Sequence, residues 1–286
     1  MSAKIIDGKA TAQELKNEIK IEVDKITSGG SRPPALAVVL VGKDPASQIY
    51  VNNKRKACHA LGIKSVEHLL DAATSEKNLM ELVTALNNDN DIDGILVQLP
   101  LPKHIHEPHI LEHINPLKDV DGFHPVNVGR LVANSTGLRP CTPAGILEML
   151  KRSGQELSGK KVVVLGRSNI VGKPTATLLL HESCTVTICH SKTRHLNDIT
   201  SRADIIIAAI GKPEFVTAEM VKPGAVVIDV GVNRTAKGVV GDVDFEGVKK
   251  VAGFISPVPG GVGPMTIAML MYNTLKAYKG LSPSGH

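Results

Sequence analysis

The chain has 286 residues, of which 42% are hydrophobic and 21% are charged, and its formal net charge is +5. This composition excludes an intrinsically disordered chain, which would carry fewer aliphatic residues and a larger net charge. No apolar run approaches the roughly 18 residues that a membrane-spanning helix needs, and residues 1–20 lack the continuous apolar segment of a secretory signal. We therefore expect a globular protein of roughly two domains with no membrane partner.

Charge and cysteine patterns narrow the class further. Lys and Arg are spread along the chain and only 2% of residues are aromatic, so the basic, aromatic-bearing runs of nucleic-acid-binding proteins are not seen. A mild positive balance fits an acidic small molecule equally well. The four cysteines, Cys58, Cys141, Cys184 and Cys189, form no CxxC pair. Buried thiols in the cytoplasm are expected rather than a disulfide scaffold.

The N-terminal half alternates predicted strands and helices. Apolar residues at helical spacing predict a helix over 8–27, and a continuous apolar run predicts a buried strand over 35–41. Strands are also predicted over 64–70 and 92–99, and helices over 45–61, where Gly62 ends the helix, and 75–87. This alternation predicts an α/β fold with a parallel sheet.

The segment 115–143 interrupts the alternation, because it is rich in Gly, Pro, Asn and Asp and shows weak periodicity. Loops of this length in compact domains are usually functional or connect domains. Thr142 followed by Pro143 predicts the start of a helix over 144–153.

A second alternating block begins near residue 158. Its predicted strands cover 161–165, 185–189, 205–209 and 225–230, and its predicted helices cover 171–181, 195–201 and 265–278. A loop of glycines and prolines over 257–264 precedes the last helix, and residues 282–286 are expected to be disordered.

The turn from Gly166 to Gly172 is the candidate dinucleotide-binding loop. It lies between a predicted strand and a predicted helix, where glycine lets backbone approach a pyrophosphate that the helix N-terminus favours. The spacing is not GxGxxG, so the pattern alone is weak, and a plain turn of an unrelated α/β domain is the alternative.

The residues after the next predicted strand indicate which dinucleotide would bind. Residues 187–192 contain no acidic residue of the kind that binds the ribose 2′-hydroxyl in NAD-selective proteins. Arg167, Ser191, Lys192 and Arg194 instead offer donors and positive charge, which suit the 2′-phosphate of NADP. The alternative is that these are solvated surface cations.

A second set of residues could meet a substrate. Tyr50 and Lys54 are four positions apart and share one face of a predicted helix, although such pairs often only decorate a surface. Gln98 lies near the carboxyl end of a strand, where ligands bind in open α/β sheets. Asp119 and Asp121 lie in the long loop, where Asp often only closes a turn.

The sequence does not favour a metal site. His104, His106, His109 and His113 are close in sequence, but the segment is expected to be a strand exit and helix start, and it shows no obvious acidic second shell. Asp119 has no second carboxylate at a useful spacing either. We expect a solvated loop at the histidines and no metal site.

Taken in chain order, these motifs resemble the methylenetetrahydrofolate dehydrogenase/methenyltetrahydrofolate cyclohydrolase family in its short bacterial form. Each motif alone is weak, but their joint order is specific, and the resemblance covers about 280 residues. The motifs are residues 46–54, Val97-Gln98-Leu99-Pro100, Lys118-Asp119-Val120-Asp121-Gly122, Pro140-Cys141-Thr142-Pro143, Gly166-Arg167-Ser168 and residues 257–266.

The resemblance implies NADP-dependent oxidation of 5,10-methylenetetrahydrofolate and hydrolysis of the methenyl product to 10-formyltetrahydrofolate, in one-carbon metabolism that supports purine synthesis. It implies that Lys54 is the central catalytic group, that Gln98 bonds Lys54, that Tyr50 stacks on the folate and that Asp121 pairs with the pterin. The other implied substrate contacts are Val97, Leu99, Pro259, Gly260, Gly261, Val262 and Gly263. The implied cofactor contacts are Gly166, Arg167, Ser168, Ser191 and Val232.

The resemblance also implies an architecture: an N-terminal α/β substrate domain over 1–139 and a Rossmann-type NADP domain over 140–264, with a cleft between them. Residues 265–286 would form a helix that returns to the first domain, and homodimers are usual in the family. Two alternatives remain open, another two-domain NADP oxidoreductase of the shikimate or malate type and a catalytically silent dinucleotide-binding regulator. The first would not explain Tyr50, Lys54, Gln98 and Asp121 together, and the second would be expected to lose Lys54 or Asp121.

Overall fold

A computed structural model describes residues 2–236 and 238–280 of the chain, so the predicted disordered tail over 282–286 lies outside the described residues. The chain divides into two compact units. The six-stranded unit comprises Met1–Gln13 and Thr142–Thr266, and the three-stranded unit comprises Glu14–Cys141 and Ile267–His286.

The described residues form strands and helices in the following chain order: β1 (Lys4–Ile5), α1 (Gly8–Ser28), β2 (Ala35–Val41), α2 (Pro45–Leu61), β3 (Lys64–Leu70), α3 (Glu76–Asn88), β4 (Gly94–Val97), α4 (Glu107–His113), α5 (Pro125–Val132), α6 (Cys141–Arg152), β5 (Lys161–Leu165), α7 (Gly172–His181), β6 (Thr185–Cys189), α8 (Leu196–Thr200), β7 (Ile205–Ala208), β8 (Val226–Asp229), β9 (Asn233–Thr235), β10 (Gly238–Val240), α9 (Phe245–Val248), β11 (Phe254–Ile255) and α10 (Val262–Tyr278). Among them, no helix is long and apolar enough to cross a membrane.

The three-stranded unit is built on a parallel sheet of order β3-β2-β4. Every residue of the central strand β2 is buried, as its continuous apolar sequence predicts. Buried aliphatic residues of β2, α3, β4 and α4 form one core cluster in this unit. The carboxyl ends of β2 and β4 therefore lie side by side, and the loop after β4 begins at that edge.

The six-stranded unit has a parallel sheet of order β1-β11-β8-β7-β5-β6, and β9 and β10 form a separate antiparallel pair. β5 lies between β6 and β7, so the chain order reverses on either side of β5. Ligands of open α/β sheets bind outside the carboxyl ends of the strands at such a reversal.

The predicted α/β architecture is confirmed, with local corrections. The segment 115–143, interpreted from its weak periodicity as a long loop, contains the helix α5, in which Asn127 and Gly129 are poor helix formers. Tertiary contacts stabilise it instead: Asn127 is fully buried and donates to the carboxylate of Asp119. β4 is shorter than the predicted strand over 92–99, and α6 begins at Cys141, before the predicted cap at Thr142.

Candidate active site

Lys54 and Gln98 meet in the three-stranded unit. Lys54 lies on α2, a helix that Asp44 caps by accepting a hydrogen bond from the Ser47 amide at 2.7 Å. Gln98 directly follows β4, and its backbone amide donates to the Val39 carbonyl at 2.8 Å. The Lys54 Nζ donates to Gln98 Oε1 at 3.0 Å, and Gln98 Nε2 donates to the Leu99 carbonyl at 2.6 Å. Both ends of the Gln98 amide are thereby fixed, with its oxygen towards Lys54.

Tyr50 lies one helical turn before Lys54 on α2 and is 46% exposed, whereas Lys54 is half-buried. The two side chains offer a flat aromatic surface and an amine on one face of the helix. Leu99 is half-buried, but Val97 is buried in β4 and packs in the core cluster. The Val97 side chain therefore belongs to the interior of the unit.

Asp121 is a half-buried carboxylate in the loop after α4. Burial raises its pKa to about 6, the nearby charge of Lys54 opposes this increase, and the charge of Asp119 reinforces it. The structure therefore brings Lys54, Gln98 and Asp121 into one electrostatic neighbourhood. A carboxylate with two acceptor oxygens and an amine paired to an amide are the polar groups of this candidate site.

Asp119 supports the loop that carries Asp121. It is 2% exposed, and its two oxygens accept hydrogen bonds from the Gly122 amide at 3.2 Å, the His124 amide at 2.8 Å and the Asn127 side chain at 2.9 Å. Burial raises the pKa of Asp119. Asp119 thus closes a turn, which was the second interpretation of the sequence.

Two further residues that the sequence analysis did not assign hold the same loop. Asn273 on α10 donates to the carbonyls of Val120 and Arg139, both at 2.8 Å. The Cys141 thiol donates to the Val120 carbonyl at 3.2 Å, and burial raises the pKa of this thiol well above its usual value. Nothing in the local pattern marks Asn273, because its partners lie more than 130 positions away.

In the six-stranded unit, the loop after β5 is shaped by two glycines. Gly166 has φ +114°, and a Cβ at this position would lie 2.1 Å from the Ala209 carbonyl oxygen. A Cβ on Gly172 would lie 2.3 Å from the Gly166 carbonyl oxygen. Because β7 also approaches β5 here, the loop lies at the reversal in strand order where a dinucleotide is expected.

Ser168 closes the turn that leads into α7, which modifies the expected role of this helix end. Its Oγ accepts from the amides of Val171 and Gly172, both at 3.2 Å, and its carbonyl accepts from the Lys173 amide at 3.1 Å. These first amides of α7 therefore have protein partners. The part of the loop left to approach a phosphate is residues 167–170, which are all exposed.

The residues expected at a 2′-phosphate lie at two adjacent strand ends. Arg167 follows β5 and Ser191 follows β6, and the Gly166 amide donates to the Cys189 carbonyl at 2.9 Å. Arg167, Ser191, Lys192 and Arg194 are all exposed. This cationic rim beside the glycine loop fits the charge of an NADP phosphate. Val232, also a predicted cofactor contact, lies between β8 and β9 and is 57% exposed.

The predicted substrate loop over 259–263 belongs to the six-stranded unit. The Lys9 amide donates to the Gly260 carbonyl at 2.9 Å, and Gly260 has φ +107°. A Cβ on Gly261 would lie 2.5 Å from the Pro257 carbonyl oxygen. The backbone geometry therefore requires glycine at positions 260 and 261.

The solvated loop expected at the histidines over 104–113 is corrected in part, because His109 and His113 lie in α4. These histidines make protein contacts around α3 and α4. Glu76 accepts from the His106 amide at 2.6 Å and pairs with His109 Nδ1 at 3.0 Å, while His113 Nε2 lies 2.7 Å from Thr84 Oγ1. Within residues 2–236 and 238–280, no group of His, Cys, Asp and Glu has the arrangement of a metal site.

Comparison with known proteins matches both parts of the chain. The protein-family model for the tetrahydrofolate dehydrogenase/cyclohydrolase catalytic domain matches residues 6–121, and the model for the NAD(P)-binding domain of the same family matches residues 140–281. "Bifunctional protein FolD" of Campylobacter hominis is 59% identical over 276 residues, which cover 96% of this chain and 97% of that protein.

Solved structures agree over nearly the full length. A bifunctional FolD methylenetetrahydrofolate dehydrogenase/cyclohydrolase from Campylobacter jejuni is 49% identical with a TM-score of 0.95, covering 97% of this chain and 99% of that chain. The Trypanosoma brucei methylenetetrahydrofolate dehydrogenase-cyclohydrolase, solved with NADP cofactor and inhibitor, is 42% identical with a TM-score of 0.92, covering 98% of each chain.

Proposed function

Because the chain belongs to the tetrahydrofolate dehydrogenase/cyclohydrolase family, we infer that it catalyses two consecutive reactions of one-carbon folate metabolism. It oxidises 5,10-methylenetetrahydrofolate to 5,10-methenyltetrahydrofolate with NADP⁺ and hydrolyses the methenyl product to 10-formyltetrahydrofolate. The observation that carries the assignment is the Lys54–Gln98 hydrogen bond beside Asp121, on a chain that also has the glycine loop of a dinucleotide domain. Family membership decides against a shikimate- or malate-type dehydrogenase.

The oxidation depends mainly on how the cofactor and the folate are positioned. NADP⁺, when bound, accepts the hydride from the methylene carbon, and the folate nitrogen stabilises the resulting cation. No side-chain acid is needed, so the chain contributes by holding both molecules in line. Gly166, Arg167, Ser168, Ser191 and Val232 are the proposed cofactor contacts. Pro259, Gly260 and Gly261 in the loop, and Val262 and Gly263 at the start of α10, are proposed substrate contacts.

The hydrolysis asks for proton transfer, because water must add to the methenyl carbon and lose a proton. Lys54 is the proposed group for this transfer. The bond to Gln98 Oε1 at 3.0 Å orients the amine, and the second Gln98 bond to Leu99 keeps Gln98 from rotating. Tyr50, one turn away, is placed to stack on the folate aromatic system. Leu99, and Val97 through its backbone alone because its side chain is buried in the core, complete the proposed substrate contacts.

Asp121 is proposed to bind the pterin. The pterin amino group and ring N–H form a guanidine-like edge that pairs with both oxygens of a carboxylate. Asp119, Asn273 and Cys141 hold the loop around it, as their hydrogen bonds to the backbone of residues 120–124 indicate. Specificity for folate would therefore depend on one charged side chain with a rigid support.

The raised pKa of Asp121 predicts a pH dependence of folate binding. Above about pH 6 the side chain is ionised and offers two acceptors, and below this pH it is protonated and loses one of them. We expect the KM for the folate substrate to rise as the pH falls through about 6. The Asp121→Asn variant, which does not titrate, is the control and should show no such step. The range from about pH 5 to 7 extends about one unit to either side of this pKa. A folate KM of the parent that stays constant over this range would contradict the role of Asp121.

Arg167 is proposed to contact the 2′-phosphate. Arg167→Ala should weaken NADP⁺ binding by about 1.5–3 kcal/mol, the range for a hydrogen bond to a charged group, and change NAD⁺ binding much less. Titration calorimetry with the two cofactors measures both. Arg202→Ala is a matched control, because Arg202 is an exposed arginine before β7, at the sheet edge opposite to the glycine loop. Equal losses for NADP⁺ and NAD⁺ would exclude the 2′-phosphate contact.

The domain roles, assembly and compartment are parts of the same proposal. We assign the substrate role to the three-stranded unit and the NADP role to the six-stranded unit. The expected substrate domain over 1–139 is thereby changed at its start, because the first 13 residues belong to the six-stranded unit, whose sheet includes β1. The protein is expected to be a cytoplasmic homodimer, as is usual in the family. Four free, buried cysteines fit a reducing compartment. Sedimentation equilibrium, against a chain mass of 30.4 kDa, tests the dimer.

Product analysis tests the proposed function. The purified chain is incubated with 5,10-methylenetetrahydrofolate and NADP⁺, and the folates are separated by chromatography. We expect 10-formyltetrahydrofolate and NADPH in equal amounts, well above a reaction without protein. Omission of NADP⁺ should leave the substrate unchanged. NADPH formation without enzyme-dependent formyl product would reduce the assignment to a dehydrogenase alone.

A further inference from the structure

Two buried aspartates lie at the carboxyl edge of the six-stranded sheet and have no role in the proposed chemistry. Asp229 ends β8 and is 3% exposed, and Asp242 follows β10 and is fully buried. A buried carboxylate is costly unless hydrogen bonds satisfy it. The hydrogen bonds of the two carboxylates therefore show which backbone segments this buried pair holds in place.

The Asp242 carboxylate binds two separate segments of the chain. Its Oδ2 accepts from the amides of Ile210 at 2.7 Å and Gly211 at 2.9 Å, and its Oδ1 accepts from the Lys212 amide at 2.9 Å. Three consecutive amides after β7 thus converge on one side chain. Oδ1 also accepts from Asn233 Nδ2 at 2.9 Å, which ties the segment after β8 to the same carboxylate.

Asp229 holds the backbone that presents Asp242. Its Oδ1 accepts from the amides of Gly231 and Asp242, both at 2.9 Å, and its Oδ2 accepts from the Val243 amide at 3.0 Å. Both carboxylates pass close to glycines. A Cβ on Gly241 would lie 1.8 Å from Asp229 Oδ2, and a Cβ on Gly231 would lie 2.2 Å from Asp242 Oδ1. The arrangement is therefore a closely fitted pair rather than two independent surface caps.

The segments that Asp242 holds flank the proposed cofactor loop. The Ala209 amide donates to the Leu165 carbonyl at 2.8 Å, and the Ala209 carbonyl lies against Gly166, so residues 210–212 begin beside the glycine loop. Val232, a proposed cofactor contact, lies between Gly231 and Asn233, which bond to Asp229 and Asp242 respectively. Both segments lie at the sheet edge where a dinucleotide binds in this topology.

We propose that Asp242 is a positioning residue for NADP, which fixes residues 210–212 and 231–233 as two walls of the cofactor site, with Asp229 fixing Asp242 in turn. This inference rests on the proposed function. Asp242 is fully buried and acts through the loop amides, so it affects cofactor affinity without touching the reacting atoms. The folate-binding groups of the three-stranded unit are not among its hydrogen-bond partners.

Asp242→Asn is the test variant, because an amide keeps one acceptor oxygen and points an N–H₂ group at two of the amide donors. Titration calorimetry should show NADP⁺ binding weakened on the order of tenfold or more. The dehydrogenase kcat at saturating NADP⁺ and the hydrolysis of added methenyltetrahydrofolate should stay near the parent values. Hydrogen exchange of the amides of residues 210–212 should become faster in the free protein.

Asp244→Ala is the matched control. Asp244 lies two positions away and caps α9 by accepting from the Gly247 amide at 3.2 Å, so its loss affects local stability but not the two walls. It should bind NADP⁺ as the parent does. Equal weakening of NADP⁺ binding in both variants would show a general loss of stability and overturn the inference. Parent-like NADP⁺ binding by Asp242→Asn, with fast exchange at 210–212, would overturn it as well.

The parent chain supplies a second measurement that does not depend on the folding of a variant. NADP⁺ should slow amide exchange at residues 210–212 or 231–233, and unchanged exchange at both segments would overturn the inference while NADP⁺ still binds. Failure of the parent to bind NADP⁺ at all would instead overturn the proposed cofactor, and this inference with it. The two kinds of failure are therefore distinguishable.

Discussion

Replacement of Lys54 by methionine should abolish most of the cyclohydrolase activity and leave a measurable dehydrogenase activity. Methionine keeps much of the side-chain length and removes the amine that we assign to proton transfer. General acid–base groups typically contribute about 10²–10⁴-fold to a rate, so the hydrolysis rate should fall by that order. Hydride transfer needs alignment rather than an amine, so methenyltetrahydrofolate should accumulate in the variant.

Separate assays of the two reactions measure this effect. Lys56→Met is a matched control, because Lys56 is an exposed cation on the same helix, two positions beyond Lys54. It should hydrolyse methenyltetrahydrofolate at the parent rate. Hydrolysis at the parent rate by Lys54→Met would show that Lys54 is not the proton-transfer group.

Replacement of Asp121 by asparagine should impair both reactions, because both use the same pterin. An amide offers one acceptor oxygen in place of two and removes a charge from a paired contact worth about 1.5–3 kcal/mol per hydrogen bond. We expect the folate KM to rise by about 10²-fold in both assays, or activity to disappear.

Thermal unfolding separates this effect from misfolding. Burial raises the pKa of Asp121, so the fold does not gain from the ionised carboxylate, and Asp121→Asn should keep or raise the Tm. Asp91→Asn, at a side chain that is 72% exposed, is the control and should change neither KM nor Tm. A near-normal folate KM in Asp121→Asn would make Asp121 a turn residue only.

The regular elements followed closely from the sequence where local signals were strong. Strands β2, β3, β5 and β6 have the predicted bounds. β2, β5 and β6 are runs of mostly apolar or β-branched residues, whereas β3 has only three apolar residues in seven. β1 and β11 were missed, since two residues show no periodicity and are stable only through pairing with other strands. α5 was also missed, because its stability depends on a tertiary contact of the buried Asn127 and not on a local pattern.

The sequence predicted which residues belong to the candidate site, and the structure added the contacts between them. The motifs predicted Lys54 on a helix and Gln98 near the carboxyl end of a strand, but the bond between them depends on how α2 lies beside β4. Asp229 and Asp242 carried no signal, because each is a single acid after a short apolar segment. Their hydrogen-bond partners lie in three segments, residues 210–212, 231–233 and 242–243, which only the fold brings together. Local patterns indicated what could react, and the tertiary contacts identified what holds it in place.

The most direct test of the bifunctional assignment is the absorbance of methenyltetrahydrofolate over time in one reaction. The parent chain is mixed with 5,10-methylenetetrahydrofolate and NADP⁺, and the same mixture with NAD⁺ runs in parallel. We predict that methenyltetrahydrofolate forms with NADP⁺ and then decays faster than in a protein-free solution of the same compound, with much slower formation in NAD⁺. Absence of methenyltetrahydrofolate and of NADPH with either cofactor, or decay at the protein-free rate, would contradict a chain that performs both reactions.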